Sequence, residues 1–589
     1  MEYKDLFLLV EKPARYAGGE FNLPDINKPH KVKYCIAFPD VYEVGMSNLG
    51  IQIIYDILNK DKDIVCERCF APWTDMGELL KKYDIPLCSI ETKTPLKDFD
   101  ILGISVQYEL AYTSILYLLD LAKIPFYAKD RDGSYPLIVG GGPCVANPEP
   151  LADFFDIIVI GDGEEANLKL TKLAAEYKGD KQRILKEAAK IEGCYVPSLC
   201  AVENGLCVTP VKKACVKDLD KAPYPEKPLV PNMEVVHNRP VVELYRGCYA
   251  GCRFCQACFF YRPIRIREKG TVERLTEELI KSTGTEELGF SSLSSGDYPD
   301  ICSVIDSVYG LCKQKNVKIQ FPSLRLDSYH PALSESTRKS GLTFAPEAGT
   351  QRLRDVINKN ITDEDIDRTT RAAFSQGYRS VKLYFMVGLP TETDDDLRGI
   401  ANIVRRIKEI HYEVHGNRAV SISVSASIFV PKPLTPFQWV PQIPFEEMER
   451  RQQFLRNELR KIKGVSFHWH EPAVSWLEAV FARGDRSLSK LVEDAYLHGA
   501  VFDGWTDKFR FDVWKESIER LNIDTNKYTG GYGLDARLPW DFIDFGVTKK
   551  YLLNEYKMAL EGKVTPSCKL GCRACGASKY ADCKIQKNW

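Results

Sequence analysis

Cys248, Cys252 and Cys255 are spaced x3 and x2 in the run RGCYAGCRFCQAC. Three thiolates this close can hold three irons of a [4Fe–4S] cluster and leave one iron open. An open coordination position is what a substrate-binding metal centre needs, by the logic of catalytic zinc. Cys258 could supply a fourth thiol, so a closed zinc knuckle is the competing chemistry. A second set, Cys568, Cys572, Cys575 and Cys583, repeats the spacing with glycines between. Four thiols close a site, as in an auxiliary iron–sulfur cluster or a structural zinc. The other eleven of the 19 cysteines stand singly in apolar runs, where a cysteine is usually a small buried hydrophobe.

The elements that must position these thiols are legible from hydrophobic periodicity. From residue 31, apolar runs such as KVKYCIAF, DILGISVQ and YPLIVGG alternate with helical patterns. That is the signature of βαβ units around a buried parallel sheet. The fold class is therefore α/β. An N-terminal arm (1–30) precedes a Rossmann-like doubly wound sheet (31–180). Short strand-like pieces and the proline-rich KAPYPEKPLVPNM form a β appendage and linker (181–236). A second alternating series (237–465) has six βα repeats, which suggests a partial (β/α)6 barrel. The first cysteine set follows its first strand, at the face where barrels place catalytic groups. A mostly helical region with the cysteine-rich tail (466–589) ends the chain. Trp476 and Trp505 read there as core residues, and His468 and His470 as a pair on one strand face, either surface imidazoles or acid/base groups.

At RGCYAGCRFCQ the chain resembles the radical S-adenosylmethionine (SAM) superfamily, whose motif is Cys-x3-Cys-x2-Cys with an aromatic, here Phe254, before the last cysteine. The resemblance implies that Cys248, Cys252 and Cys255 bind the cluster and that SAM chelates the open iron. It implies reductive cleavage of SAM to a 5′-deoxyadenosyl radical, with electrons from a donor such as flavodoxin or ferredoxin. Ser294, Ser295, Gly296 and Asp297 occupy the place of the stretch that meets the SAM amino group, with a departure from the usual Gly-Gly-Glu. Glu347 could accept ribose hydroxyls or an ammonium group. Arg352 could pair with a carboxylate or form a surface ion pair. Lys382 and Gly388 belong to a fifth-strand motif, KLYFMVGLPTE, that helps seat adenine. Asp40, Tyr42 and Gly45 resemble the D-x-H-x-x-G element of cobalamin-binding domains, with Tyr42 in place of the cobalt-ligating histidine. Ser105, Gly140 and Gly141 match the later Ser and Gly-Gly elements. Gly161-Asp-Gly-Glu164-Glu165 either lines the cofactor or caps the next helix. Together, residues 13–550 resemble a class of radical SAM proteins carrying a cobalamin-binding domain, and imply methylation of an unactivated carbon.

Among the 589 residues, 80 Lys and Arg nearly balance 81 Asp and Glu. A globally basic nucleic-acid binder and an acidic disordered chain are both excluded. Nothing reads as a transmembrane helix or a secretion signal, so the expectation is a cytoplasmic protein with reduced thiols and no membrane partner. Two other functions compete: a radical enzyme without cobalamin, for sulfur insertion or rearrangement, and a non-catalytic, metal-stabilised RNA-binding protein. The basic tail (Lys569, Arg573, Lys579, Lys584, Lys587) is the one hint of RNA.

Overall fold

The computed structural model describes residues 2–320 and 342–583. The chain opens into a parallel sheet of β1 (Val32–Phe38), β2 (Ile64–Phe70), β3 (Ile101–Ser105), β4 (Leu137–Gly141) and β5 (Ile157–Val159), in the order β2-β1-β3-β4-β5. A short antiparallel strand, β6 (Cys194–Tyr195), closes its far edge. This is the doubly wound order whose switch point lies between β1 and β3, where strand-end loops diverge and leave a crevice. The central strands are buried on both faces, which explains their continuous apolar sequences.

The helix Leu49–Lys60 shows why its sequence is apolar nearly all round. Ile51, Tyr55 and Leu58 pack on the sheet. Ile53 and Ile57 face the other way, into the core of the second α/β unit. The helix Tyr112–Leu121 is likewise covered on every side. It lies between the sheet and the C-terminal helices Pro472–Ala482 and Ser489–Leu497, all in one apolar cluster.

Past the sheet, β7 (Val202–Glu203) and β8 (Leu206–Cys207) form a hairpin. Cys200 and Cys207 are joined there by a disulfide. This corrects the expectation of uniformly reduced, solitary thiols: the hairpin brings the two cysteines together. Next comes β9 (Val211–Lys212). The second series has β10 (Val241–Glu243), an antiparallel ladder of β11 (Tyr245–Arg246) with β12 (Arg265–Ile266), then β13 (Glu287–Ser291) and β14 (Lys318–Gln320). After residue 341 follow β15 (Leu342–Glu347), β16 (Ser380–Val387), β17 (Ser421–Ile428) and β18 (Val465–Trp469). Parallel pairing gives the sheets β10-β13-β14 and β15-β16-β17-β18. The six strands β10 and β13–β17, with their helices, are the expected partial barrel, and β18 adds a seventh parallel strand. The part of the run VKIQFPSLR beyond Gln320 lies outside the described residues. Far along the chain, β19 (Ile543–Asp544) pairs with β9.

The C-terminal helices are tied to the first domain by polar as well as apolar contacts. Asp503, fully buried, accepts from Thr113 Oγ1 at 2.6 Å and from Trp514 Nε1 at 3.0 Å. Burial pushes its carboxyl up to about 6, although both hydrogen bonds pull it down. An acid raised on folding binds its proton more tightly in the native state. Its contribution to stability is therefore complete below about pH 4 and is lost as pH rises to about 6. Asp503→Asn keeps a donor and an acceptor without the charge. It should gain up to about 3 kcal/mol over the parent at pH 8 and little at pH 4 in urea unfolding. An unchanged difference across that range would refute the buried-charge account.

Among the described residues no helix is long and apolar enough to cross a membrane.

Candidate functional site

Cys248, Cys252 and Cys255 lie on the loop between β11 and the helix Gln256–Phe260, with Cys255 at the helix N-cap. Cys248 and Cys252 are buried and Cys255 is half-buried. Burial, with the neighbouring Cys252 and Cys248 thiols adding to it, pushes the Cys255 thiol up to about 12. Holding all three as thiolates requires a cation among them, which an iron core would supply. No set of three or more His, Cys, Asp or Glu among the described residues has the spacing for a single metal ion. Ligands of a cluster bind different irons and are not bound by that spacing.

The loop is clamped from beneath. Arg253 is fully buried; its Nε pairs with Glu555 at 3.1 Å. Its Nη atoms donate to the carbonyls of Asp355, Val356 and Lys563. Phe254, half-buried, lies 5.9 Å from Lys359 Nζ, which pairs with Glu347 at 3.1 Å. Glu347 closes β15 with φ +68, in the left-handed region. So Phe254 and Glu347 come together beside the cysteine loop.

A cavity of about 410 Å³ opens at the carboxyl edge of the first sheet. Ser105, Gly140 and Gly141 line it from one side. Tyr245, Arg246 and Gly247, which run straight into Cys248, line it from the other, with Ser291 and Ser292. Arg246 ties the two sides together. It binds Asp162 at 3.1 Å, Glu164 at 2.5 Å and Glu243 at 2.8 Å. Asp162 also pairs with Arg265. Burial alone would raise the Asp162 carboxyl, but Arg265 and Arg246 outweigh it and hold it well below the usual range. Thus Gly161–Glu164 both line the cavity and anchor the strand leading to the cysteines, while Glu165 is exposed and pairs with Lys169.

Other residues singled out from the sequence stand elsewhere. Tyr42 points away from the cavity: its hydroxyl donates to Glu20 at 3.0 Å, and its ring packs on Phe70. Glu20 is in turn bound by the buried Arg68. Asp40 accepts from Trp505 Nε1 at 3.0 Å, and Gly45 packs against Phe70. Ser294 and Ser295 are fully buried, with the Ser294 carbonyl accepting from Tyr245 Oη at 2.6 Å. Gly296 follows them in the same turn, and Asp297 pairs with Lys569 of the tail. Arg352 pairs with Asp396 and donates to the Thr391 carbonyl. Lys382 is exposed and lies 4.9 Å from the Tyr384 ring. Gly388 has φ +88, and its N–H donates to Glu392 at 2.7 Å. A Cβ there would meet Ile443 Cδ1 at 2.8 Å, so the turn demands glycine. His468 and His470 are exposed at the end of β18. In the tail, Lys569, Arg573 and Lys579 are engaged by Asp297, the Pro566 carbonyl and Asp544. Lys584 and Lys587 lie outside the described residues.

Comparison with known proteins fits this geometry. The family model for radical SAM proteins, N-terminal, matches residues 50–197. The model for the radical SAM superfamily matches residues 242–404, which include the cysteine loop and most of the half-barrel. The chain belongs to the radical SAM superfamily. As a radical SAM protein it uses a [4Fe–4S] cluster and SAM. An uncharacterised protein of Methanocaldococcus jannaschii is 28% identical over 507 residues, covering 82% of this chain and 98% of the relative. Among solved structures, the radical SAM methyltransferase TsrM from Kitasatospora setae, with cobalamin and a [4Fe–4S] cluster bound, is 14% identical, with TM-score 0.47 over 69% of this chain and 77% of that one. The cobalamin-dependent SAM radical enzyme OxsB, with aqua-cobalamin bound, is 13% identical, with TM-score 0.49 over 91% and 80%.

The residues of this radical SAM protein that the sequence left unmarked are Arg246, Lys359 and Arg253. Arg246 and Arg253 find most of their partners in segments far away in sequence, and Lys359 finds Glu347 only across the turn after β15.

Proposed function

We propose that this radical SAM enzyme binds cobalamin in the cavity between its two α/β units and methylates an unactivated carbon of its substrate. The observation that carries this reading is the cavity itself, shared by Ser105, Gly140 and Gly141 on one side and by Tyr245–Gly247, next to Cys248, on the other. Its volume suits a nucleotide-sized tail, and its wall of glycines and small polar groups lets such a tail approach the backbone. Cobalamin, when bound, supplies a cobalt-carried methyl group. Tyr42, at the motif position of the cobalt-ligating histidine, is held by Glu20 and would not meet the lower face of the corrin. Cys248, Cys252 and Cys255 would hold the catalytic cluster. Arg253 fixes their loop, and Arg246 fixes the strand that delivers it. Phe254 and Glu347 stand where they could shape the nucleoside end of SAM, with Lys359 holding the Glu347 carboxylate in place.

Ser105→Phe places a ring in the cavity. Expected is at least a roughly tenfold loss of hydroxocobalamin binding, about 1.4 kcal/mol, with iron content unchanged. Equal corrin retention by parent and variant would overturn the placement. A parent that takes up no corrin at all would favour a radical enzyme working without cobalamin.

A further inference from the structure

We infer that Cys568, Cys572, Cys575 and Cys583 hold a second iron–sulfur cluster, docked against the catalytic loop, with Arg262 as its buried counter-charge. This is independent of cobalamin binding and adds a metal centre to the reading above.

The tail segment is fixed on the cysteine loop. The Cys568 N–H donates to the Tyr249 carbonyl at 2.8 Å, and Ser567 Oγ donates to the same oxygen at 3.2 Å. Tyr249 is the neighbour of Cys248, so one hydrogen bond separates the two cysteine sets along the chain. Lys569 reaches Asp297, and the Thr548 N–H holds the Cys575 carbonyl at 2.9 Å. Cys568 and Cys575 are buried and Cys583 is half-buried. The Ala574 N–H points at Cys572 Sγ at 3.4 Å, an amide–sulfur contact that favours the thiolate.

Arg262 is the independent observation. It is 2% exposed, lies against the rings of Phe259 and Tyr551, and sends Nη2 to Cys258 Sγ at 3.8 Å. Its Nη2 is also 3.6 Å from where a Gly251 Cβ would stand, so it sits directly under the catalytic loop. Its Nε and Nη1 find no hydrogen-bond partner among the described residues. Burial opposes its charge, while Cys258, Tyr551, Cys568 and Cys575 favour it. A buried guanidinium without a carboxylate is costly unless an anion faces it. Four thiolates around an iron–sulfur core carry net negative charge and meet that need. Position selects iron over zinc: a redox centre beside Cys248 lies where electrons must arrive, whereas the tail is already tied down by Lys569, Lys579 and Tyr580 without a structural metal.

The test uses the full-length chain, reconstituted anaerobically with ferrous iron and sulfide. The parent should hold about eight irons, and the Cys248→Ala/Cys252→Ala/Cys255→Ala variant about four, visible after reduction by electron paramagnetic resonance. Adding Cys572→Ser to that variant should remove this remaining signal; Cys572 is exposed, so packing survives. Arg262→Met in the same background should move the remaining cluster's midpoint potential to more negative values, since a positive charge beside it is gone. No iron in the triple variant, zinc in place of iron, or a signal indifferent to Cys572→Ser would each overturn the proposal. None of these readouts involves cobalt or SAM turnover, so the cobalamin reading stands or falls separately.

Discussion

Cys248→Ala is expected to lower reductive cleavage of SAM by at least about a thousand-fold, or roughly 4 kcal/mol of transition-state stabilisation. The catalytic loop offers three clustered sulfurs, and losing one leaves an iron without its protein ligand. Cys258 cannot stand in for it. That thiol is 1% exposed, lies on the helix after the loop and is held by Arg262. Cys258→Ala should therefore leave cleavage within a few-fold of the parent. The assay is anaerobic formation of 5′-deoxyadenosine with dithionite as reductant. Retained cleavage in Cys248→Ala would remove the ligand assignment, and loss in Cys258→Ala would mean that the fourth thiol ligates.

The second large effect concerns stability. Arg253→Met should cost about 3–5 kcal/mol, the usual result of breaking a buried ion pair from one side. Glu555 would keep its charge in the core with only Thr565 Oγ1 still bonded to it. Three backbone carbonyls would each also lose the guanidinium hydrogen bond. Arg253→Met/Glu555→Leu removes the stranded charge and should recover part of the loss. Urea unfolding of the iron-free chain measures both, and iron retention after desalting reports on the loop. A change under about 1 kcal/mol would show that the pair acts as a surface bridge does.

The parts of this site that the sequence disclosed are those whose logic is local. Cys248, Cys252 and Cys255 are legible as a set because they are near neighbours in sequence on one loop. Ser105, Gly140 and Gly141 are legible because small residues at the ends of buried parallel strands mark a crevice. Tyr42 was not: its motif matches a cofactor element, but Glu20 and Arg68, from other segments, turn its hydroxyl inward. Arg246 was not, because its partners Asp162 and Glu164 lie more than eighty residues upstream. The β alternation predicted the partial barrel, and strand spacing was read at His468 and His470, but not that this strand, β18, extends the barrel sheet: its residues are half-buried or exposed and carry no apolar run. The strand-like pieces around Cys200 and Cys207 were legible, but their disulfide was not, because it depends on how the two short strands pair in the hairpin.

The pairing of β9 with β19 turns the chain into a closed belt. The linker that leaves the first α/β unit is stitched, backbone to backbone, to a segment more than 300 residues downstream. The linker and the C-terminal region therefore cannot separate without peeling that ladder. The same stitch means that a fragment ending near residue 236 would carry an unpaired strand edge, inviting self-association instead of behaving as an independent module.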